Sequence, residues 1–291
     1  MTSLRPLGGR LARLGLPLLA VSLGTTFAQV SAVYVPNQAS GTVSGYTISS
    51  STGALTQVSG SPFSAGFTSS NSTRTAVTPD HRFLYVSNAD GSIFGYKINS
   101  DGTLTAIFGT PITVTNASGI TVDASGNYLY VAQKPIAVDG TISGFSINQT
   151  SGALTALPGS PFSLGAGNQG AQSIAASGNF LYVVLAVNNA VEPMAITPAT
   201  GALSAGGLTP LPFADILPGP INVTAPFDIK IDGANHLYVS DAGYFAGAGS
   251  VAGLAGFTVA GATLTPTGTY ATGVNPFGIG IDGSNRFLYV D

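Results

Sequence analysis

Three observations predict an all-β fold, a β-propeller of four-stranded antiparallel blades. A tyrosine-centred strand recurs at blade-length spacing, short alternating strands are separated by Gly and Asp turns, and no sustained helical apolar period occurs beyond the N-terminal segment. The recurring strand reads Val33-Tyr34-Val35, Leu84-Tyr85-Val86, Leu129-Tyr130-Val131, Leu181-Tyr182-Val183, Leu237-Tyr238-Val239 and Leu288-Tyr289-Val290. Successive tyrosines lie 51, 45, 52, 56 and 51 residues apart.

The chain of 291 residues opens on a segment that reads as an address. Arg5, Arg10 and Arg13 form a positive n-region, and residues 14–28 are apolar. Thr26-Phe27-Ala28 places small residues three and one before a cut, so residues 1–28 are expected to be a signal peptide and residues 29–291 the propeller domain. The apolar run is shorter than the roughly 20 residues a spanning helix needs. A secreted or periplasmic protein without a membrane span in its mature form is expected.

Four strands, A to D, fit within each period. Strand A precedes the tyrosine, at 75–78, 120–123, 173–175, 228–231 and 278–281. A turn such as Pro79-Asp80-His81-Arg82 leads into strand B, which carries the tyrosine. Strand C reads 43–48, 93–98, 142–147, 191–196 and 254–259. A tight turn such as Asp101-Gly102-Thr103-Leu104 leads into strand D. One such sheet cannot cover both of its own faces, and stacking blades around an axis buries them. The tyrosine ring suits that core because its hydroxyl can still find a partner. Five periods are visible and a sixth begins at 278–281. Either that strand completes a five-bladed ring, or a seven-bladed propeller of roughly 390 residues has been cut short. We favour truncation.

Composition narrows the function. Charged residues are 7% of the chain, against about 25% in an ordinary domain. Net charge is −3, and without the three N-terminal arginines six basic residues face twelve acidic. No basic face for nucleic acid and no polybasic membrane patch is present. Cysteine is absent, which excludes disulfides, thiolate metal sites and cysteine nucleophiles. Asp90, Asp101, Asp139, Asp232 and Asp282 each precede glycine and read as turn residues rather than calcium ligands. Without a His-rich cluster, phosphate loop or nucleophile elbow, no metal and no cofactor is expected.

The repeat resembles the lactonase-type seven-bladed β-propellers, the 6-phosphogluconolactonase-like group, with NHL- and YVTN-like repeats. The matching residues are Pro79-Asp80-His81-Arg82-Phe83-Leu84-Tyr85-Val86-Ser87-Asn88, Gly95-Tyr96-Lys97-Ile98 and Gly102-Thr103-Leu104-Thr105. Gly60-Ser61-Pro62-Phe63 and Gly159-Ser160-Pro161-Phe162 also match. Pro226-Phe227-Asp228-Ile229 and Pro276-Phe277-Gly278-Ile279 are NHL-like. The resemblance implies hydrolysis of a lactone, with His, Glu and Arg near the central channel. This chain has two histidines and one glutamate. His81 reads as an exposed turn residue, His236 as a packed strand residue, and Glu192 as a surface carboxylate on strand C.

The D–A connections (65–73, 164–170, 207–225) and B–C connections (132–139, 240–252) vary in length and share one face of the ring. Ligand binding is assigned to that face. Strand A is innermost, and the residues expected at its channel mouth are Arg74, Gly119, Ala171, Asp228 and Gly278. Small residues fit a narrow axis, and Arg74 and Asp228 depart from them. Arg74 can bind a carboxylate or phosphate, and Asp228 can orient a water or act as a base. Both are catalytic candidates, and Arg74, Asp228, Lys230 and Gln172 are ligand-binding candidates. The competing reading of the first pair is an ion pair that only holds blades together. Two functions follow: hydrolysis of a sugar or organic-acid lactone, or a non-catalytic envelope propeller binding a glycan, peptide or protein through its variable loops. A monomer is expected.

Overall fold

The computed structural model describes residues 30–37, 39–65, 74–88, 90–134, 138–212, 226–242, 253–273, 276–281 and 285–290. The proposed signal peptide lies outside them, as do most of the connections at 65–73, 207–225 and 240–252 and part of 132–139.

Every regular element described is a strand, and the strands form successive antiparallel meanders. Blade 2 runs Arg74–Val77, Phe83–Ser87, Ser92–Ile98 and Leu104–Ala106, from the axis outward. Blade 3 repeats it with Ala117–Val122, Tyr128–Gln133, Thr141–Ile147 and Leu154–Ala156. Blade 4 uses Ala171–Ser177, Phe180–Leu185, Ala190–Ile196 and Leu203–Ala205, and blade 5 uses Pro226–Ile231, His236–Asp241, Gly253–Ala260 and Thr263–Ala271. Blade 1 begins, among the described residues, at Ala32–Asn37, and blade 6 comprises Ile279–Ile281 paired with Leu288–Val290. The inner strands of blades 2 to 6 stand side by side in chain order.

The predicted third strands agree with the observed ones to within a residue at either end. The outer strand differs. In blades 1 to 4 it is broken into two short pieces that both pair with the third strand, as Leu154–Ala156 and Phe162–Ser163 do with Thr141–Ile147. In blades 1 and 3 a serine hydroxyl takes over from the ladder at the break. Ser61 Oγ accepts from Gly45 N–H and Ser160 Oγ accepts from Gly144 N–H, both at 2.9 Å.

The tyrosine works as a joint between blades. Its ring lies across a third-strand glycine, Tyr34 over Gly45, Tyr85 over Gly95 and Tyr130 over Gly144. A Cβ at Gly144 would stand 2.9 Å from the Phe162 ring and 3.3 Å from Tyr130, so the glycine is needed for the close approach. The hydroxyl then donates to a carbonyl in the next blade's outer turn. Tyr34 reaches Gly102, Tyr85 Gly152, Tyr130 Gly201 and Tyr182 Gly261, at 2.7–2.8 Å. Separate apolar clusters fill the spaces between successive blades, each drawing residues from two neighbours.

Candidate functional site

The second-strand ladders fix which inner-strand residue stands at each blade's channel mouth. Thr75, Ile120, Ile174, Ile229 and Ile279 each pair with the valine after the repeated tyrosine. The residues just before them are Arg74, Gly119, Ser173, Asp228 and Gly278. This corrects the expectation of Ala171 in blade 4. There the hairpin closes on Gly178-Asn179 between the paired Ser177 and Phe180, whereas blade 2 places Pro79 to Arg82 between Thr78 and Phe83. The shorter turn shifts the register by two residues relative to the tyrosine.

Arg74 and Asp228 do meet. Arg74 Nη1 donates to Asp228 Oδ1 at 2.8 Å, Nη2 donates to the Phe227 carbonyl at 3.0 Å, and the guanidinium lies 5.0 Å from the Phe227 ring centre. Asp228 Oδ1 also accepts from Ser173 Oγ at 2.9 Å, while Oδ2 accepts from Ile279 N–H at 3.2 Å and lies 3.6 Å from Lys230 Nζ. One buried carboxylate thus ties together inner strands of blades 2, 4, 5 and 6. Burial alone would raise its pKa. Lys230, Arg74, the Ser173 hydroxyl and the Ile279 N–H outweigh that and hold it below the ordinary carboxylate range.

Gln172 is buried rather than open to a ligand, and its Oε1 accepts from Lys134 Nζ. Lys134, which the sequence reading did not single out, follows the second strand of blade 3. Its pKa is lowered, first by removal from water and then by repulsion from Arg74. Arg74 and Lys230 thus meet on Asp228 at the mouth, and Lys134 is held by Gln172 close enough to Arg74 to be repelled by it. A cavity of about 220 Å³ opens there, lined by Pro36, Arg74, Thr75, Ile120, Ser173 and Lys230. A second of similar volume continues between the inner strands, lined by Ala76, Thr121, Ala175 and Ile229 among others. This arrangement can hold an anion and polarise a carbonyl.

The remaining candidates lie apart from the mouth. His81 is exposed in its turn at φ 61°, as expected. His236 is half-buried, with Nδ1 2.8 Å from Asp232 Oδ2. Glu192 is not on the surface. It has no exposed area, because its strand face turns toward blade 3 instead of solvent. Among the described residues no group of three His, Cys, Asp or Glu is placed to hold a metal, and no helix is long and apolar enough to cross a membrane.

The fold and the polar channel mouth define a β-propeller with a ligand-sized axial opening. The family model "Lactonase, 7-bladed beta-propeller" matches residues 26–169, and an LVIVD repeat matches residues 169–190. These matches bear out the resemblance to the lactonase-type propellers. A 6-phosphogluconolactonase from Yersinia pestis (strain Pestoides F) is 29% identical over 90 residues, which is 31% of this chain and 26% of the relative. The chain thus aligns with about a quarter of that relative's length. Among solved structures, a putative 6-phosphogluconolactonase from Bacteroides uniformis superposes with a TM-score of 0.62 at 18% identity, covering 89% of this chain and 73% of that one. A periplasmic gluconolactonase from Pseudomonas aeruginosa gives 0.61 at 16% identity, covering 90% and 74%. At these identities the structures speak for the fold.

Proposed function

We propose that this chain is an extracytoplasmic propeller that binds a negatively charged sugar or organic-acid lactone at its channel mouth and hydrolyses it. The observation that carries the reading is the pairing of Arg74 and Lys230 on one buried carboxylate, with Lys134 close enough to Arg74 to be repelled by it. In the reaction, water oxygen bonds to the acyl carbon, the ring C–O bond breaks, and the ring oxygen leaves as an alkoxide that takes a proton; of the water's two protons one restores the donor and the other passes to solvent, leaving an alcohol and a carboxylate. Lys134, with its lowered pKa, is the proton donor. Arg74 holds the substrate's anionic group and later the product carboxylate. Asp228 is the positioning residue for Arg74. Its oxygens are already occupied and its pKa is depressed, which makes it a poor base. Gln172 positions Lys134.

The location outside the cytoplasm is supported by Arg5, Arg10 and Arg13 ahead of the apolar 14–28 segment, and by the likeness to a periplasmic gluconolactonase. The same depressed Asp228 favours a second reading, in which the mouth binds an anion without turning it over.

The test is a panel of sugar and organic-acid lactones, with and without a phosphate, given to the mature protein and to Lys134→Ala. Among the described residues the Lys134 side chain hydrogen-bonds to Gln172, so its removal spares the blade ladders. Turnover restricted to anionic lactones, reduced at least about tenfold in the variant at unchanged melting temperature, is expected. Binding of the same anions without turnover would establish the second reading. No binding at all would refute both.

A further inference from the structure

We infer that Glu192 is a pH-responsive latch: as a neutral acid it holds the 164–170 connection closed over blade 4, and its ionisation releases that connection and loosens the adjoining channel mouth. Glu192 is the chain's single glutamate and has no exposed area. Its Oε2 accepts from Asn168 Nδ2 at 3.1 Å, while Oε1 is buried without a hydrogen-bond partner. A charged carboxylate held this way would lack most of the donors that ordinarily stabilise it. The neutral acid is the form that suits the site, and burial raises the pKa to about 7 against the lowering effect of Asn168.

Asn168 is the joint between this carboxyl and the connection. Its Nδ2 also donates to the Leu164 carbonyl at 2.5 Å, its carbonyl accepts from Gly140 N–H at 2.8 Å, and its N–H donates to the Gly165 carbonyl. Gly165, Gly167 and Gly170 have φ of 90°, 82° and 72°, so the connection turns on three left-handed glycines. Its outer stitches run from Gly167 N–H to Asp139 Oδ1 and between Gln169 and Asn188. The segment then enters Ala171, whose carbonyl accepts from Ser118 Oγ, and Gln172, which holds Lys134. Ionisation strengthens the Asn168 bond itself, so the opening is driven by hydration of the buried charge, and it carries the connection, with Gln172 at its end, away from Lys134.

The titratable groups of the surrounding elements are few. Tyr128, Tyr130 and Tyr182 spend their hydroxyls on the Pro198, Gly201 and Gly261 carbonyls. Asp139 caps the far side of the connection, and Lys134 stands beyond it at the channel. The strands Thr141–Ile147, Ala171–Ser177, Leu203–Ala205 and Thr209–Pro210 carry no ionisable side chain.

The test is amide hydrogen exchange of the 164–172 region in the whole protein from pH 5 to 9, corrected for the intrinsic rate. Protection in the parent is expected to fall at least about tenfold between pH 5 and 7 and to level off above, while Thr141–Ile147 stays unchanged. Glu192→Gln should stay protected throughout, and Asn168→Ala should be unprotected at both ends. A single glutamate also allows carboxyl ¹³C labelling to report its ionisation directly in the parent chain, should the Gln variant not fold. The latch is refuted by an unchanged profile in the parent, by the same fall in Glu192→Gln, or by Glu192 ionising in a pH range where the connection does not open.

Discussion

Asp228 gathers a guanidinium, a hydroxyl, a backbone N–H and a nearby ammonium onto two oxygens that water barely reaches. Removing the charge leaves Arg74 with the Phe227 carbonyl as its remaining acceptor and no counter-charge beside it. Asp228→Asn should lose about 3 kcal/mol of unfolding free energy, read by urea denaturation at pH 7. The sign of the pH dependence follows from the direction of the shift. A carboxylate whose folded pKa lies below its unfolded value contributes above the unfolded pKa, and the contribution disappears as pH falls through the folded one. The gap between parent and variant should accordingly close in acid, and a gap independent of pH would exclude the electrostatic cause. Arg74 and Asp228 were legible in the sequence because charge interrupts a row of small inner-strand residues. Ser173 was missed because counting from Tyr182 assumes equal hairpins, and blade 4 has the shorter one. Lys134 was missed because it lies beyond the second strand and reaches the mouth through Gln172, a contact that no blade-to-blade alignment displays.

Within a blade, the outer turn is built against the preceding neighbour. Gly152 has φ of 74°, and a Cβ there would stand 2.6 Å from Phe83 and Ile107 side-chain atoms. Gly53 occupies the same turn position at φ 70° with nothing within 4 Å. Gly53→Ala thus carries only the backbone cost, about 1 kcal/mol, whereas Gly152→Ala adds overpacking of a buried joint and should lose about 3 kcal/mol in all. Equal losses in matched denaturation curves would show that the turn does not press on its neighbour. Tyr130→Phe keeps the ring but leaves the Gly201 carbonyl without its buried donor, and should lose about 1–2 kcal/mol. The repeated tyrosine made these joints visible at the level of sequence, since its period is the blade's period. The broken outer strand was less visible. In blade 3 the break falls at Gly159-Ser160-Pro161-Phe162, and only the register reveals that both flanking pieces remain on one partner.

Across the whole molecule, two buried carboxyls with opposite shifts shape the response to pH. Asp228 is held ionised at the axis by cations from two blades. Glu192 is held neutral between blades 3 and 4, where burial raises its pKa to about 7. A raised folded pKa contributes stability that is complete below the unfolded value of an ordinary glutamate, declines as pH rises, and is gone once pH passes the folded value. The amount set by such a shift is about 3 kcal/mol. Glutamine at 192 never ionises, so the comparison isolates this contribution. Glu192→Gln should match the parent near pH 4 and gain on it steadily up to about pH 7, with the difference constant beyond. Melting temperatures of the two proteins, taken side by side from pH 4 to 9, check this. A constant offset over the whole range would mean that Glu192 is already ionised in the folded protein, and that the connection above it is closed by its stitches to Asp139 and Asn188 instead.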